Sequence, residues 1–532
     1  MQNSKASVYA FFVAIGGFLF GFDASVISGV VRFVTIEWNL TPWQVGMVVA
    51  APTFVAIPSA LLGGVISDKI GRRTTLIILA ITYIVSAVCS AFAPDFWTLV
   101  MARALGGFAF ASLGIAPVYI AEISPPEKRG FMVSFNQMNI VIGFAVSYFS
   151  NYFLLNLSQS GGELVAALHI DTHVWRWMLG LELLPAMLFM MGALIVPESP
   201  RWLVRAGREQ EAKEVMGRLM PTSEIEPTVV QIKSTLAEYK PSIREQLPDL
   251  LSPRLRLPMM IGLIVGIAQQ ITGINAIYFY APSIFEQTGV GTNAAFFQTA
   301  LLGTTNVICT IIAMLCIDRL GRKPLLLIGL VGVFMTMMAA SYGFKTASYE
   351  LPSTSISEFS KEIQTEVDFS ELTDRKFNSD ISFKRAARAA IGENAYRKHE
   401  SEILRAATNI NATLIMVAII AFTASFAISL GPVMWVLFSE IFPNRSRGLF
   451  GGVAGFFNAT TAYLVTQIFP WELDTIGASN TFMIFGVFSA ISFILIYWLL
   501  PETKGRSMEE LEQEWASWGE KRVKSRTQSD DK

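Results

Sequence analysis

Two groups of polar residues sit inside apolar runs, and each suggests its own chemistry. The first is Gln269, Gln270 and Asn275. An amide side chain donates and accepts hydrogen bonds at once, as a ligand with many hydroxyls requires, and an aromatic face suits the C–H side of such a ligand. Gln269 and Gln270 are adjacent, whereas Asn275 follows roughly one and a half helical turns later. One helix face presents all three only if the helix breaks, and Gly273 offers the place. The second group is Asp23, Arg103 and Glu182. A carboxylate at mid-membrane costs about 2.5–3.5 kcal/mol on insertion scales, so it needs a partner or a proton. Arg103 is the natural partner of Asp23. Glu182 has no basic partner within its own run, which weakens a purely structural reading of the set.

The elements that must position these residues are membrane helices. Of 532 residues, 52% are hydrophobic and 16% charged, against roughly 25% charged in soluble domains. A span needs about 20 mainly apolar residues. Twelve runs meet that need, at about 8–30, 43–65, 74–93, 98–121, 131–155, 176–196, 255–285, 293–317, 323–343, 411–438, 448–469 and 479–500. Backbone groups in lipid must be paired within the segment, and continuous runs are helices rather than barrel strands. The first run is too long for a secretory signal and lacks its small-residue exit, so it is expected to be retained. Cys89, Cys309 and Cys316 fall inside runs and read as small packing residues. The three histidines have no metal spacing. Neither a metal nor a cofactor is expected. No nucleophile–base set or phosphate loop argues for an enzyme, and a net charge of −1 without a basic stripe gives no nucleic-acid partner.

Basic residues collect in the short loops after even-numbered runs, whereas the opposite loops offer little beyond Arg32 and Arg176. The positive-inside rule therefore places both termini in the cytoplasm. The same loops reveal a repeat. Asp68 and Gly71-Arg72-Arg73 answer Asp318 and Gly321-Arg322-Lys323. Glu122 with Arg129 answers Glu440 with Arg447, and Pro197-Glu198 answers Pro501-Glu502. The first landmarks are offset by 250 residues and the second by 318, so the second half carries a 68-residue insertion on the outer face. Acidic and basic residues at helix ends can pair across the cytoplasmic mouth, and pairs that break in one conformation bias an open–closed equilibrium.

The chain resembles the sugar porter family of the major facilitator superfamily over nearly its whole length outside the insertion. The resemblance rests on Gly71-Arg72-Arg73, Pro197-Glu198-Ser199-Pro200-Arg201-Trp202, Gln269-Gln270-Ile271-Thr272-Gly273-Ile274-Asn275 and Pro501-Glu502-Thr503-Lys504-Gly505, in order at the expected span ends. In pattern it is nearest to the bacterial xylose–proton symporters and facilitative glucose carriers. The resemblance implies an all-α integral membrane fold of twelve helices in two pseudo-symmetric six-helix halves, a cytoplasmic helical bundle, and alternating access. It assigns Gln137, Asn306 and Asn458 to sugar contact, Trp435 to ring stacking and Phe20 to the sugar's vicinity. Asp23, Arg103 and Glu182 match positions tied to proton coupling, and facilitative carriers are neutral at the first and apolar at the last. Arg201 joins the cytoplasmic gate set. Two positions depart from the pattern. Phe279 stands where the family often has tyrosine, between Tyr278 and Tyr280, and Phe144 is apolar as in glucose carriers, a slight tilt towards a hexose.

The expected organisation is a first half at 1–197, a linker at 198–252, a second half at 253–500 with the insertion at about 344–410, and a cytoplasmic tail at 501–532. Part of the linker, from Arg205 to Leu219, has apolar residues at helical spacing. Within the insertion, 383–407 reads either as an amphipathic helix on the outer surface or over the entrance, or as a solvated, partly disordered loop. The tail reads as a short charged helix followed by disorder. The expected function is symport of a monosaccharide with a proton by a monomer in the cell membrane, contacting lipid. A facilitative uniporter and a non-transporting sugar sensor are the alternatives.

Overall fold

The computed structural model describes residues 2–506 and 510, apart from 126–127, 238–244, 246–247, 249, 251, 253–254, 354–371 and 443–446. Twelve of its helices are long and apolar enough to cross a membrane. Spans one to six are Lys5–Trp38, Pro42–Ala60, Arg72–Ala91, Phe96–Ile123, Gly130–Ser158 and Val174–Ile195. Spans seven to twelve are Arg256–Glu286, Thr292–Ile317, Arg322–Lys345, Ala412–Ile441, Arg447–Thr475 and Ala478–Leu499. Each overlaps one predicted run. Span one continues past its predicted run to Trp38, and Arg32 in the added turns pairs with Glu286 at 2.7 Å.

Four spans are broken where polar groups enter the bundle. Span four breaks between Ala109 and Ser112, and span six between Gly180 and Leu183. Span ten breaks at Ser429. Span seven ends its first helix at Ile271 and resumes at Ile274 through Gly273, as predicted. Gly273 has φ +89°, and a Cβ there would stand 2.6 Å from the Phe485 ring. No other residue suits both the left-handed backbone and the space. Span one packs closely on span five, where a Cβ on Gly143 would meet the Phe18 carbonyl. Spans two and eleven, five and eight, and one and seven join the first six spans to the last six.

Between spans six and seven lie short helices at Pro200–Arg205, Glu209–Leu219 and Thr222–Ala237. The second buries Ala212, Val215, Met216 and Leu219, the apolar stripe predicted for it. The stretch at 383–407 forms two helices, Asp380–Ile391 and Glu393–Ala407, divided at Gly392. They pack around Tyr349, Phe377, Phe383 and Tyr396, and a two-residue strand pairing of Ser348–Tyr349 with Thr408–Asn409 closes the neck. The insertion's described part is thus a small folded unit rather than a solvated loop. The tail predicted beyond 506 lies outside the described residues, except for Glu510.

Candidate substrate and coupling sites

The break in span seven folds its amides back onto one another. Gln269 Nε2 donates to the Leu430 carbonyl at 3.1 Å, in the second helix of span ten. Its Oε1 accepts from Asn458 Nδ2 at 2.9 Å and Gln270 Nε2 at 3.1 Å. Asn275 Nδ2 donates to Gln270 Oε1 at 3.0 Å, and Asn458 Nδ2 also reaches the Gly266 carbonyl at 2.8 Å. Four of the predicted sugar-contacting amides therefore form one network, drawn from spans seven and eleven. Gln137 on span five is half-buried and Asn306 on span eight buried, and among the described residues neither bonds to this network.

Aromatic residues occur in the neighbouring spans. Phe20 meets Phe110 edge-on, with centroids 4.7 Å apart, at the break in span four. Trp435 is 56% exposed and meets Phe438 edge-on, with centroids 6.1 Å apart. Phe144 packs against Tyr278 with centroids 5.2 Å apart, and Tyr148 donates to the Tyr278 carbonyl at 2.7 Å. Phe279 is buried, and the hydroxyls flanking it differ. Tyr280 donates to the Thr466 carbonyl at 3.0 Å, whereas the buried Tyr278 hydroxyl has no partner among the described residues.

The charged group assembles from distant parts of the chain. Asp23 and Arg103 form an ion pair with side chains 0% and 2% exposed, and Arg103 Nη2 also donates to the Asp23 carbonyl at 3.2 Å. Glu182 lies at the break of span six, buried, and interacts electrostatically with both. Asp23 Oδ2, Arg103 Nε and Glu182 Oε1 have no hydrogen-bond partner among the described residues. Buried polar atoms are normally paired, so three partnerless atoms in one place set this cluster apart from the rest of the bundle. Sequence reasoning missed Tyr83, which interacts with both carboxylates and lies 3.3 Å from the Ser112 hydroxyl. It also missed Gly106, where a Cβ would stand 3.1 Å from Asp23 Oδ2.

The loop motifs form two matching clusters at the end bearing the termini. Arg72 binds Glu122 at 3.0 Å and Asp68 at 2.7 Å, and Arg322 binds Glu440 at 2.8 Å. Glu198 accepts the Arg72 backbone N–H at 2.8 Å, and Glu502 that of Arg322 at 3.0 Å, so each caps a helix N-terminus. Burial opposes ionisation of Asp68, but hydrogen bonds from Arg205 and Arg72 outweigh it and hold the carboxyl below its ordinary range. The pairs stay within each group of six spans rather than crossing the mouth as predicted, because each arginine's carboxylate lies on a neighbouring helix end of its own group. Arg73 donates to the Leu194 carbonyl at 2.7 Å, Arg447 to that of Phe442 at 3.3 Å, and Arg201 is exposed. The Arg129 and Asp318 side chains lie outside the described residues.

Twelve apolar helices, two of them broken at the span-seven amides and at Glu182, make this a multi-pass membrane protein. The chain belongs to the family described as "Sugar (and other) transporter", which matches residues 9–358 and 395–515. It is 31% identical over 504 residues to the arabinose-proton symporter of Bacillus subtilis (strain 168), covering 94% of this chain and 93% of that one. It is 32% identical to the D-xylose transporter of Levilactobacillus brevis, covering 96% of each. The inward-open xylose transporter XylE from E. coli superposes with a TM-score of 0.72 at 28% identity, over 95% of this chain and 99% of that one. The proton:xylose symporter XylE bound to 6-bromo-6-deoxy-D-glucose gives 0.67 at 28% identity, over 97% of this chain and 100% of that one. These relatives are sugar transporters of the major facilitator superfamily, not enzymes.

Proposed function

We propose that the protein is a proton-coupled monosaccharide symporter with both termini in the cytoplasm of a cell whose plasma membrane it spans. The observation that carries this reading is the buried Asp23–Arg103 pair beside Glu182, with a carboxylate oxygen left unpartnered on each acid. A permanent salt bridge needs no second buried acid beside it, and breaking such a pair leaves an uncompensated charge. A proton arriving on Asp23 from outside removes that charge and frees Arg103. The helices then rearrange around bound sugar, and re-forming the pair expels the proton inside. The Gln269–Gln270–Asn275–Asn458 network offers the sugar hydroxyls donors and acceptors, with Gln137 and Asn306 approaching from other spans and Trp435 stacking on the ring. The names of the relatives, which transport arabinose, xylose or glucose, support a monosaccharide cargo.

The structure fits an inward-facing state. Bonds between the two groups of spans gather at the end bearing the insertion, and the clusters at the opposite end stay separate. Uptake of labelled xylose, glucose, galactose and fructose into proteoliposomes, with and without an inward pH gradient, tests the proposal. Accumulation of one of them above equilibrium with the gradient is the expected result. Uptake of that sugar indifferent to the gradient makes the protein a uniporter, and binding without uptake makes it a sensor.

A further inference from the structure

Arg32, near the end of span one, makes contacts that the sugar and proton sites do not use. Its Nη1 binds Glu286 at 2.7 Å, at the end of span seven, and its Nη2 lies 3.3 Å from Glu402 in the second insertion helix. Span one belongs to the first group of six and span seven to the second, so one guanidinium ties the two groups and the insertion together. The insertion repeats the pattern nearby. Arg397 donates to the Leu40 carbonyl at 2.6 Å and the Asn39 carbonyl at 3.0 Å, in the turn after span one. Asn39 in turn donates to Asn394 at 2.5 Å. On the other side, Arg388 forms an ion pair with Asp474 at the end of span eleven, and Asp380 accepts the Ala478 N–H at 3.1 Å. The same insertion thus grips both groups of spans across the outer mouth.

We propose that the insertion's two helices, Asp380–Ile391 and Glu393–Ala407, are an outer clasp and that Arg32 is its central positioning residue, holding the inward-facing state closed to the outside. The inference rests on the alternating-access reading above. When the outer mouth opens, spans one and seven separate there, and the Arg32–Glu286 and Arg397–Leu40 bonds must break together. The grip on span eleven is within the second group and survives, so the two insertion helices move with the last six spans. Glu286 is 9% exposed and borders the cavity between Val45, Tyr280, Ser283 and Leu473, so its separation from Arg32 leaves a largely buried carboxylate short of its main partner until water enters. The bonds across the seam therefore set the inward–outward equilibrium rather than the affinity for sugar.

The test uses full-length protein with its three cysteines replaced and Ser283→Cys added, in proteoliposomes of a single orientation without a pH gradient. An impermeant thiol reagent applied outside reports opening of the mouth. Arg32→Gln and Glu402→Gln should each raise the labelling rate, the first by roughly tenfold or more, the tenfold corresponding to about 1.4 kcal/mol. Exchange of charges, Arg32→Glu with Glu286→Arg, should lower the rate again towards that of the parent. Labelling unchanged by Arg32→Gln in protein that still binds sugar overturns the proposal. If that variant does not fold, Glu402→Gln decides in the same way, because its side chain is 36% exposed and its loss is tolerable to folding. Labelling requires neither a proton gradient nor net transport, so a uniporter would give the same result, and failure of the coupling reading is distinguishable from failure of this one.

Discussion

Asp23 and Arg103, eighty positions apart in the chain, meet as an ion pair with almost no exposure on either side. The charge on Asp23 is thus tied to the packing of span one against span four, and a change of protonation there acts on helix position. Asp23→Asn removes the titrating group while preserving shape. Uphill uptake driven by a pH gradient should be abolished, while exchange of labelled for unlabelled sugar across the membrane persists. Unchanged accumulation would sink the coupling role of Asp23.

Glu182 gives a second, separable expectation. It sits in the same electrostatic neighbourhood but bonds to neither charge, so it acts on Asp23 through space. Glu182→Gln should leave exchange intact and displace the pH at which uptake is half-maximal. A pH profile superimposable on that of the parent would assign Glu182 to structure alone.

The amide network is read through binding. Asn458 donates to Gln269 and to the Gly266 carbonyl. Asn458→Ala removes one donor from Gln269 Oε1, leaving it only Gln270, and strips the Gly266 carbonyl of its side-chain donor, and weakening a buried network in this way costs about 1–3 kcal/mol. Sugar affinity measured by calorimetry on the detergent-solubilised protein should fall roughly 5- to 150-fold. Trp435→Ala should weaken binding and remove the sugar-dependent part of the tryptophan fluorescence. An Asn458→Ala protein with full affinity would remove the network from the site.

Much of this was legible in the sequence because lipid imposes strict rules. The twelve runs, the repeat across Arg72 and Arg322, and the break at Gly273 follow from hydropathy, spacing and backbone chemistry. Pairings between spans were less accessible. Arg103 could be matched to Asp23 because membrane charges are few, but Arg32 to Glu286, 254 positions apart, could not, since both stand near helix ends where a charge needs no partner. The insertion was ambiguous because its helices are polar on one face and bury only a small core around Tyr349 and Phe383. Crossing pairs expected at the cytoplasmic mouth lie instead within each group of spans, a choice between neighbouring helix ends that spacing alone does not make.

Asp68 lies beyond the end of span two and offers a pH-dependent check on the first of those clusters. Its carboxyl is held below the ordinary 3.8 by Arg205 and Arg72 despite partial burial. A depressed folded-state value means the contribution to stability is present above the unfolded value and lost as pH falls through the folded one. Asp68→Asn should therefore melt at lower temperature than the parent at neutral pH, and the gap should close on acidification below about pH 4. A gap that is constant with pH would show that the charge of Asp68 contributes nothing to folding.

Gly273 is the position where backbone, packing and function meet. Its φ of +89° is what lets Asn275 turn back to Gln270 after Gln269 has bonded to span ten. Gly273→Ala meets two separate obstacles, a left-handed backbone costing about 1–3 kcal/mol for a non-glycine residue and the Phe485 ring in the path of the new methyl. Phe485→Leu relieves only the second. Thermal stability should drop in the single variant and recover only in part when Phe485→Leu is added, and sugar affinity should fall in both because Asn275 is displaced. If the alanine variant kept full stability and affinity, span seven would tolerate a continuous helix here, and the broken helix would not be what builds the sugar site.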